Sequence, residues 1–311
     1  MDKNIIHVYS DRPKDTFDVI ISFSYKCNRS CVYCTWHQDD DVPTYSEMVD
    51  LLENIIKSVD HKKINFLIHG GEPTIIPDLP SVVMYIVGKY DHVSFNIQSN
   101  MSNDIEWFMK FVGMESNIRF TCSYQHHQNN DFSDYLRKVE WINENGLLHA
   151  IDFILEPMNE LEIIDIIRNI DELPLSNKVV YTYVDMIHND KYDIISDIID
   201  NNKKDTECVY VRYKNGDIKY YYNTLDLKME KNDNFRFFYC SAGNSQIYVE
   251  PNGDVYRCIT DRYTKKPRCN AYNFEELSLY IKGKPKPCIF KECICELWVE
   301  KVRVGYEDKI E

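Results

Sequence analysis

Three cysteines separated by three and then two residues, Cys27-Asn-Arg-Ser-Cys31-Val-Tyr-Cys34, are the most chemically specific feature of this 311-residue chain. Thiolates so spaced in a loop can converge on one cubane iron-sulfur cluster. Three protein ligands for four irons leave one iron open, and an open iron can be chelated by the amino and carboxylate groups of an amino acid. A structural zinc site asks for four protein ligands instead. His37 is the nearest candidate for the fourth, but it completes no familiar zinc spacing.

The remaining cysteines are also clustered. Of 11 in total, six fall within Cys240–Cys295, leaving only Cys122 and Cys208 apart. An odd number with such spacing, in a chain read as cytoplasmic where disulfides are rare, points to metal or cluster ligation. Zinc or a disulfide pair stays open as the alternative for the second group. Cys122 and Cys208 read as ordinary buried thiols. With 36 basic and 50 acidic residues the net charge is −14. Polyanions are repelled by such a surface, so nucleic acid is not an expected partner. The longest apolar runs fall short of the roughly 20 residues that span a bilayer, and Met1-Asp2-Lys3-Asn4 lacks the apolar core of a signal peptide.

The elements that must position these cysteines alternate between short β-rich runs and helical patterns from Phe17 to about Val184, which is the signature of βα units around a parallel sheet. Strands are expected at Phe17–Ser24, Ile64–His69, Val93–Gln98, Ile118–Ser123, His149–Leu155 and Val179–Val184, mostly as continuous apolar runs. The first cysteine loop follows the first of them. Thr44-Tyr-Ser-Glu47 makes a capping box, and Met48, Leu51, Leu52, Ile55, Ile56 and Val59 share one face of the helix it opens. Gly146 closes a later helix. Beyond a polar, helix-like stretch at Tyr192–Asp200 the pattern changes to hairpins, with Asn215-Gly216 and Asn252-Gly253 as turns. The expected domains are 1–204 and 205–311.

The first loop resembles the radical S-adenosylmethionine (SAM) superfamily, whose defining pattern C-x3-C-x-aromatic-C is matched with Tyr33 as the aromatic residue. A second element of that family follows the second strand, where Gly70-Gly71-Glu72-Pro73 corresponds to the turn that receives the SAM amino group. Glycine lets backbone approach a ligand, and a carboxylate accepts hydrogen bonds from an ammonium. Standing alone, the same four residues are also a plain turn. Asn100, Ser123 and Glu156 end or follow the third, fourth and fifth strands, where a barrel places ligand contacts. The resemblance implies a partial (βα)6 TIM-like barrel, a SAM-binding 4Fe-4S cluster on Cys27, Cys31 and Cys34, and an electron from ferredoxin or flavodoxin.

In the C-terminal part Cys240, which opens Cys240-Ser-Ala-Gly, is separated by twelve residues from Gly253, and Gly253 by four from Cys258. This resembles the opening of SPASM and twitch domains, a small hairpin-plus-helix unit holding auxiliary clusters. The resemblance implies one auxiliary 4Fe-4S cluster on four among Cys240, Cys258, Cys288, Cys293 and Cys295, with Cys293 and Cys295 preferred to Cys288. The chain departs from the family in ending on C-x4-C-x-C where a twitch domain usually has C-x2-C. A short helical pattern through Leu297, Trp298 and Val302 follows. Cys269 reads as an alternate ligand, a catalytic thiol or, by preference, a surface cysteine. By resemblance to peptide maturases the expected substrate is a peptide, oxidised or crosslinked. Against this, a barrel beginning by Phe17 leaves no room for a leader-binding domain, and a dehydrogenase or epimerase acting on a sugar or aminocyclitol is the rival. No catalytic acid, base or hydrogen donor is assigned; His126 and His127 only follow the fourth strand.

Overall fold

A computed structural model describes residues 4–11, 13–31, 33–34, 41–59, 62–125, 131–155, 179–183, 209–221, 234–290, 293 and 299–309. All six expected strands are present as β2 (Thr16–Ser22), β3 (Lys63–His69), β4 (Val93–Ser99), β5 (Ile118–Gln125), β6 (Leu148–Leu155) and β7 (Val179–Tyr183), and an unforeseen β1 (Ile5–Ser10) precedes them. Helices α1 (Tyr45–Ser58), α2 (Leu79–Lys89), the short α3 (Ile105–Phe108) and α4 (Phe132–Glu144) follow β2 to β5 in turn. At the start of α1 the Thr44 N–H donates to Glu47 Oε2 at 2.8 Å and the Glu47 N–H to Thr44 Oγ1 at 3.4 Å, so the capping box forms. Its six apolar positions, Met48 to Val59, are all buried.

The chain forms two compact units, one of Met1–Ile20, Asp50–Asn65 and Thr206–Glu311, the other of Ile21–Val49 and Phe66–Asp205. In the second, β4, β5, β6 and β7 run parallel, with Gln98 beside Thr121, Ser123 beside Asp152 and Ile154 beside Thr182. This is the parallel sheet of a partial TIM-like barrel. Burial along β4 alternates: Val93, Phe95, Ile97 and Ser99 are buried, and Ser94, Asn96 and Gln98 are half-buried. Continuous burial was expected. Alternation appears because one face of the sheet is polar and bonded to itself. Thr121 Oγ1 donates to Asn96 Oδ1 at 3.0 Å, and Gln98 Nε2 donates to Ser123 Oγ at 3.2 Å and to Asp152 Oδ2 at 3.0 Å.

The other unit holds β8 (Val209–Tyr213), β9 (Ile218–Tyr221), β10 (Phe238–Cys240), β11 (Gln246–Val249), β12 (Asp254–Tyr256), α5 (Ile259–Arg262), β13 (Cys269–Asn270), α6 (Phe274–Ile281), β14 (Lys286–Pro287) and β15 (Lys301–Arg303). Both expected hairpins form, β8 with β9 across Asn215-Gly216 and β11 with β12 across Asn252-Gly253. One sheet runs β14-β10-β15-β1-β8-β9. The helical pattern expected through Val302 is corrected: Leu297 and Trp298 lie outside the described residues, and Val302 is in a strand. β15 pairs with β10 on one side and β1 on the other, and two hydrogen-bonded ladders outweigh a short helix's few internal bonds. The Tyr192–Asp200 stretch is outside the described residues. Among those described, no helix is long and apolar enough to cross a membrane.

Candidate functional site

The loop after β2 and the turn after β3 are bound to each other through their backbones. The Gly71 N–H donates to Ser24 O at 3.1 Å and the Glu72 N–H to Lys26 O at 2.8 Å. Side chains on either glycine would prevent this. A Cβ on Gly70 would stand 2.7 Å from Ser24 O, and one on Gly71 only 1.9 Å from Lys26 O; Gly70 also has a φ of +122°. The glycine pair therefore has a structural task at the root of the cysteine loop as well as any task toward a ligand.

Glu72 is 2% exposed. Its Oε1 accepts from the Thr74 N–H at 3.1 Å and from Thr74 Oγ1 at 2.6 Å, and its Oε2 accepts from the Asn100 N–H at 2.7 Å. Burial pushes this carboxyl above its ordinary value, and donors from Thr74, Asn100 and Ser99 pull it back. The carboxylate thus fastens the end of β3 to the end of β4. Glu72→Ala strands those buried donors, each costing about 1–3 kcal/mol. We expect cluster-free protein to lose about 2–4 kcal/mol in denaturant melts; a loss below about 0.5 kcal/mol, the range of an ordinary surface change, would refute the fastening role.

Residues inside the cysteine motif, which the spacing alone did not single out, anchor the loop to the strand ends. Asn28 Nδ2 donates to Ser102 Oγ at 2.6 Å and Asn28 Oδ1 accepts from Asn100 Nδ2 at 3.0 Å. Arg29 donates from Nη1 to Gln125 Oε1 at 2.5 Å and from Nη2 to Asn100 O at 2.9 Å. Burial lowers the Arg29 pKa, while the surrounding Glu72, Cys31, Cys27 and Tyr33 favour its charge. Cys27 is pushed up chiefly by burial, against a 3.4 Å hydrogen bond from the Arg29 N–H to its sulfur; Glu72, Cys31 and Cys34 push it further up. Cys27 and Cys31 are half-buried and Cys34 is exposed. Three thiols that feel one another beside a guanidinium suit an anionic cluster with one open face. Ser123 lies within the polar network on β4, β5 and β6, in which Gln98 and Asp152 were not foreseen. Glu156, His126 and His127 lie outside the described residues.

In the other unit, Cys240, Cys258, Cys288 and Cys293 line one pocket together with Ala242, Arg257, Thr260, Phe290 and Lys301. All four cysteines belong to that unit's apolar core. Cys240 ends β10, and the Cys288 N–H donates to Phe238 O at 2.8 Å, which ties the second cysteine segment to the same strand. Cys258 caps α5 in extended conformation. Cys288 is thus among the gathered four, and Cys295 lies outside the described residues. Arg257 Nε, at a residue 6% exposed, has no hydrogen-bond acceptor among the described residues. Four thiols with a buried N–H donor fit a sulfur-rich anion. No three His, Cys, Asp or Glu among the described residues converge tightly enough for a single metal ion; a cubane spreads its thiolates over four irons. Cys269 is half-buried on β13, its thiol pushed up to about 12 first by burial and then by Glu276. Cys122 is fully buried, and Cys208 is outside the described residues.

Residues 21–170 match the family model of the Radical SAM superfamily. A curated relative, "Probable GTP 3′,8-cyclase" of Methanothermobacter marburgensis, is 27% identical over 174 residues, covering 51% of this chain and 55% of the relative. The chain therefore spans about half the length of that relative. Among solved structures, SuiB of Streptococcus suis bound to its precursor peptide SuiA is similar at a TM-score of 0.59 and 14% identity, over 86% of this chain and 65% of that one. Native anSMEcpe with bound AdoMet and Cp18Cys peptide is similar at a TM-score of 0.57 and 16% identity, over 84% of this chain and 80% of that one. These two likenesses show a shared fold.

Proposed function

From the match of residues 21–170 to the Radical SAM superfamily model we propose that the protein cleaves SAM reductively and uses the resulting radical to take hydrogen from a peptide. The observation that carries this reading is the cysteine loop bonded through Ser24 and Lys26 to the Gly70–Pro73 turn. It joins the segment carrying the three candidate ligands to the turn that is the candidate amino-group receptor. When bound, a 4Fe-4S cluster and SAM would supply a 5′-deoxyadenosyl radical. The chain's own part is to hold them. Cys27, Cys31 and Cys34 are the proposed ligands and Tyr33 the aromatic companion. Arg29 offsets thiolate charge, and the turn with the Glu72 charge beneath it receives the ammonium. Asn100 positions the loop, and Ser123, with Glu156 by resemblance, lies toward the nucleoside or substrate. Reducing equivalents come from a ferredoxin or flavodoxin.

Cys240, Cys258, Cys288 and Cys293 are proposed to hold an auxiliary 4Fe-4S cluster, in a SPASM- or twitch-like unit, that accepts the electron left on substrate. Cys295, outside the described residues, is the further candidate ligand. Peptide as substrate is supported by two solved structures of similar fold whose descriptions name bound peptides. The second reading is a small molecule, favoured by the relative described as a GTP cyclase; a sugar or aminocyclitol belongs to the same class. The test is anaerobic turnover with SAM and reductant, offering in turn a short peptide encoded beside the gene, GTP and an aminocyclitol. We expect a peptide product lacking two hydrogens together with 5′-deoxyadenosine. Product from GTP or the aminocyclitol alone would refute the peptide assignment, and no 5′-deoxyadenosine with any of them would refute SAM cleavage.

A further inference from the structure

Two buried cations, Arg257 and Lys301, line the pocket formed by Cys240, Cys258, Cys288 and Cys293. Lys301 is 1% exposed and stands opposite Cys240 in the β10–β15 register. Directly opposed residues of antiparallel strands bring their Cβ atoms to about 5 Å, so these two side chains share one face. Lys301 Nζ donates to Val299 O at 2.7 Å and lies 5.1 Å from the centre of the Phe235 ring. Arg257 approaches along the neighbouring segment. Its Nη1 donates to Pro287 O at 3.3 Å, and its Nε is 3.9 Å from Asp261 Oδ2, an ion pair too long for a hydrogen bond. Asp261 is meanwhile held by the fork of Arg268, through Nε to Oδ2 at 2.8 Å and Nη2 to Oδ1 at 2.5 Å. The Arg257 Nε–H is left without an acceptor among the described residues, at the wall of a pocket lined by sulfur.

Arg257 and Arg268 share the one carboxylate of Asp261, and buried positive charge in excess of the carboxylate beside it is costly unless a further anion offsets it. A cubane on four thiolates is a dianion when oxidised and a trianion once it takes one electron, so neighbouring positive charge and N–H donors favour the reduced form. From this geometry we infer that Arg257 and Lys301 tune the auxiliary cluster, Arg257 by an N–H···S hydrogen bond from Nε and Lys301 by its charge, and together raise its reduction potential. The inference rests on the proposed auxiliary cluster. It makes the pocket a better acceptor for an electron from substrate.

The test uses the full chain carrying Cys27→Ala, Cys31→Ala and Cys34→Ala, so that only auxiliary iron contributes to the spectra. Potentiometric titration followed by electron paramagnetic resonance gives the potential. Lys301→Met and Arg257→Gln should each lower the ratio of reduced to oxidised cluster at fixed potential at least tenfold, about 59 mV for a one-electron couple. Arg257→Lys keeps the charge and should shift less, but should lose the exchangeable-proton coupling that electron-nuclear double resonance detects in the parent. Fully loaded variants with unchanged potential overturn the inference and leave the auxiliary cluster standing. A parent with no cubane overturns both. If the substitutions prevent loading, the parent decides: a strongly coupled exchangeable proton supports the inference, and its absence overturns it.

Discussion

Replacing Cys27, Cys31 and Cys34 together by Ala should abolish SAM cleavage and halve the iron, from about eight to about four per chain. The expectation follows from the proposed ligand set, in which these three thiolates are the entire protein contribution to one cubane. Nothing else in the described loop substitutes for them. Asn28 and Arg29 are already bonded to Ser102, Asn100 and Gln125, and Arg29 is a cation that cannot ligate iron. The fold should survive, because Cys34 is exposed, Cys27 and Cys31 are half-buried, and the loop's anchors are other residues. Iron analysis and chromatography of 5′-deoxyadenosine after anaerobic reduction read both effects. Continued production of 5′-deoxyadenosine by the triple variant would remove the assignment of the first site.

The second large effect concerns product. Cys240→Ala with Cys258→Ala should lose the auxiliary iron and all substrate product, while reductive cleavage of SAM continues. The two cysteine sets belong to different compact units, and the first loop keeps its own ligands and anchors. Folding is the complication, since Cys240 and Cys258 are part of their unit's apolar core and cluster binding often couples to folding in cysteine-rich units. Single Ser substitutions remove a ligand with little change of volume and separate the candidates. Cys288→Ser should release the auxiliary cluster, because Cys288 lines the pocket with the other three; Cys295→Ser tests the remaining candidate. Retention by Cys288→Ser with release by Cys295→Ser would restore the preference for Cys295 over Cys288. A soluble variant shown spectroscopically to lack the cluster, yet forming product at the parent rate, would exclude the electron-acceptor role.

Much of the barrel was legible because its signals are local. Apolar runs, the Thr44–Glu47 capping box and the position of Gly70–Pro73 after a strand are each set within a few residues, and the six barrel strands follow them closely. The cysteine spacing likewise carries the proposal of a cluster loop without any coordinates, since the three thiols lie within eight residues of chain. Other features depend on residues far apart in sequence. β1 is a strand because Val8 meets both Val211 and Lys301, and β15 is a strand and not a helix for the same reason. The Glu72 carboxylate is a fastener because Asn100 brings its N–H from the next strand. Gly71 is required because Lys26 O occupies the space of its Cβ. The pocket lined by Cys240, Cys258, Cys288 and Cys293 is likewise not visible in their spacing, since it depends on the hydrogen bond of Cys288 to Phe238 and on the pairing of β10 with β15. Periodicity records which face of an element is apolar; which polar group meets which cation, glycine or thiol is decided only when strands pair.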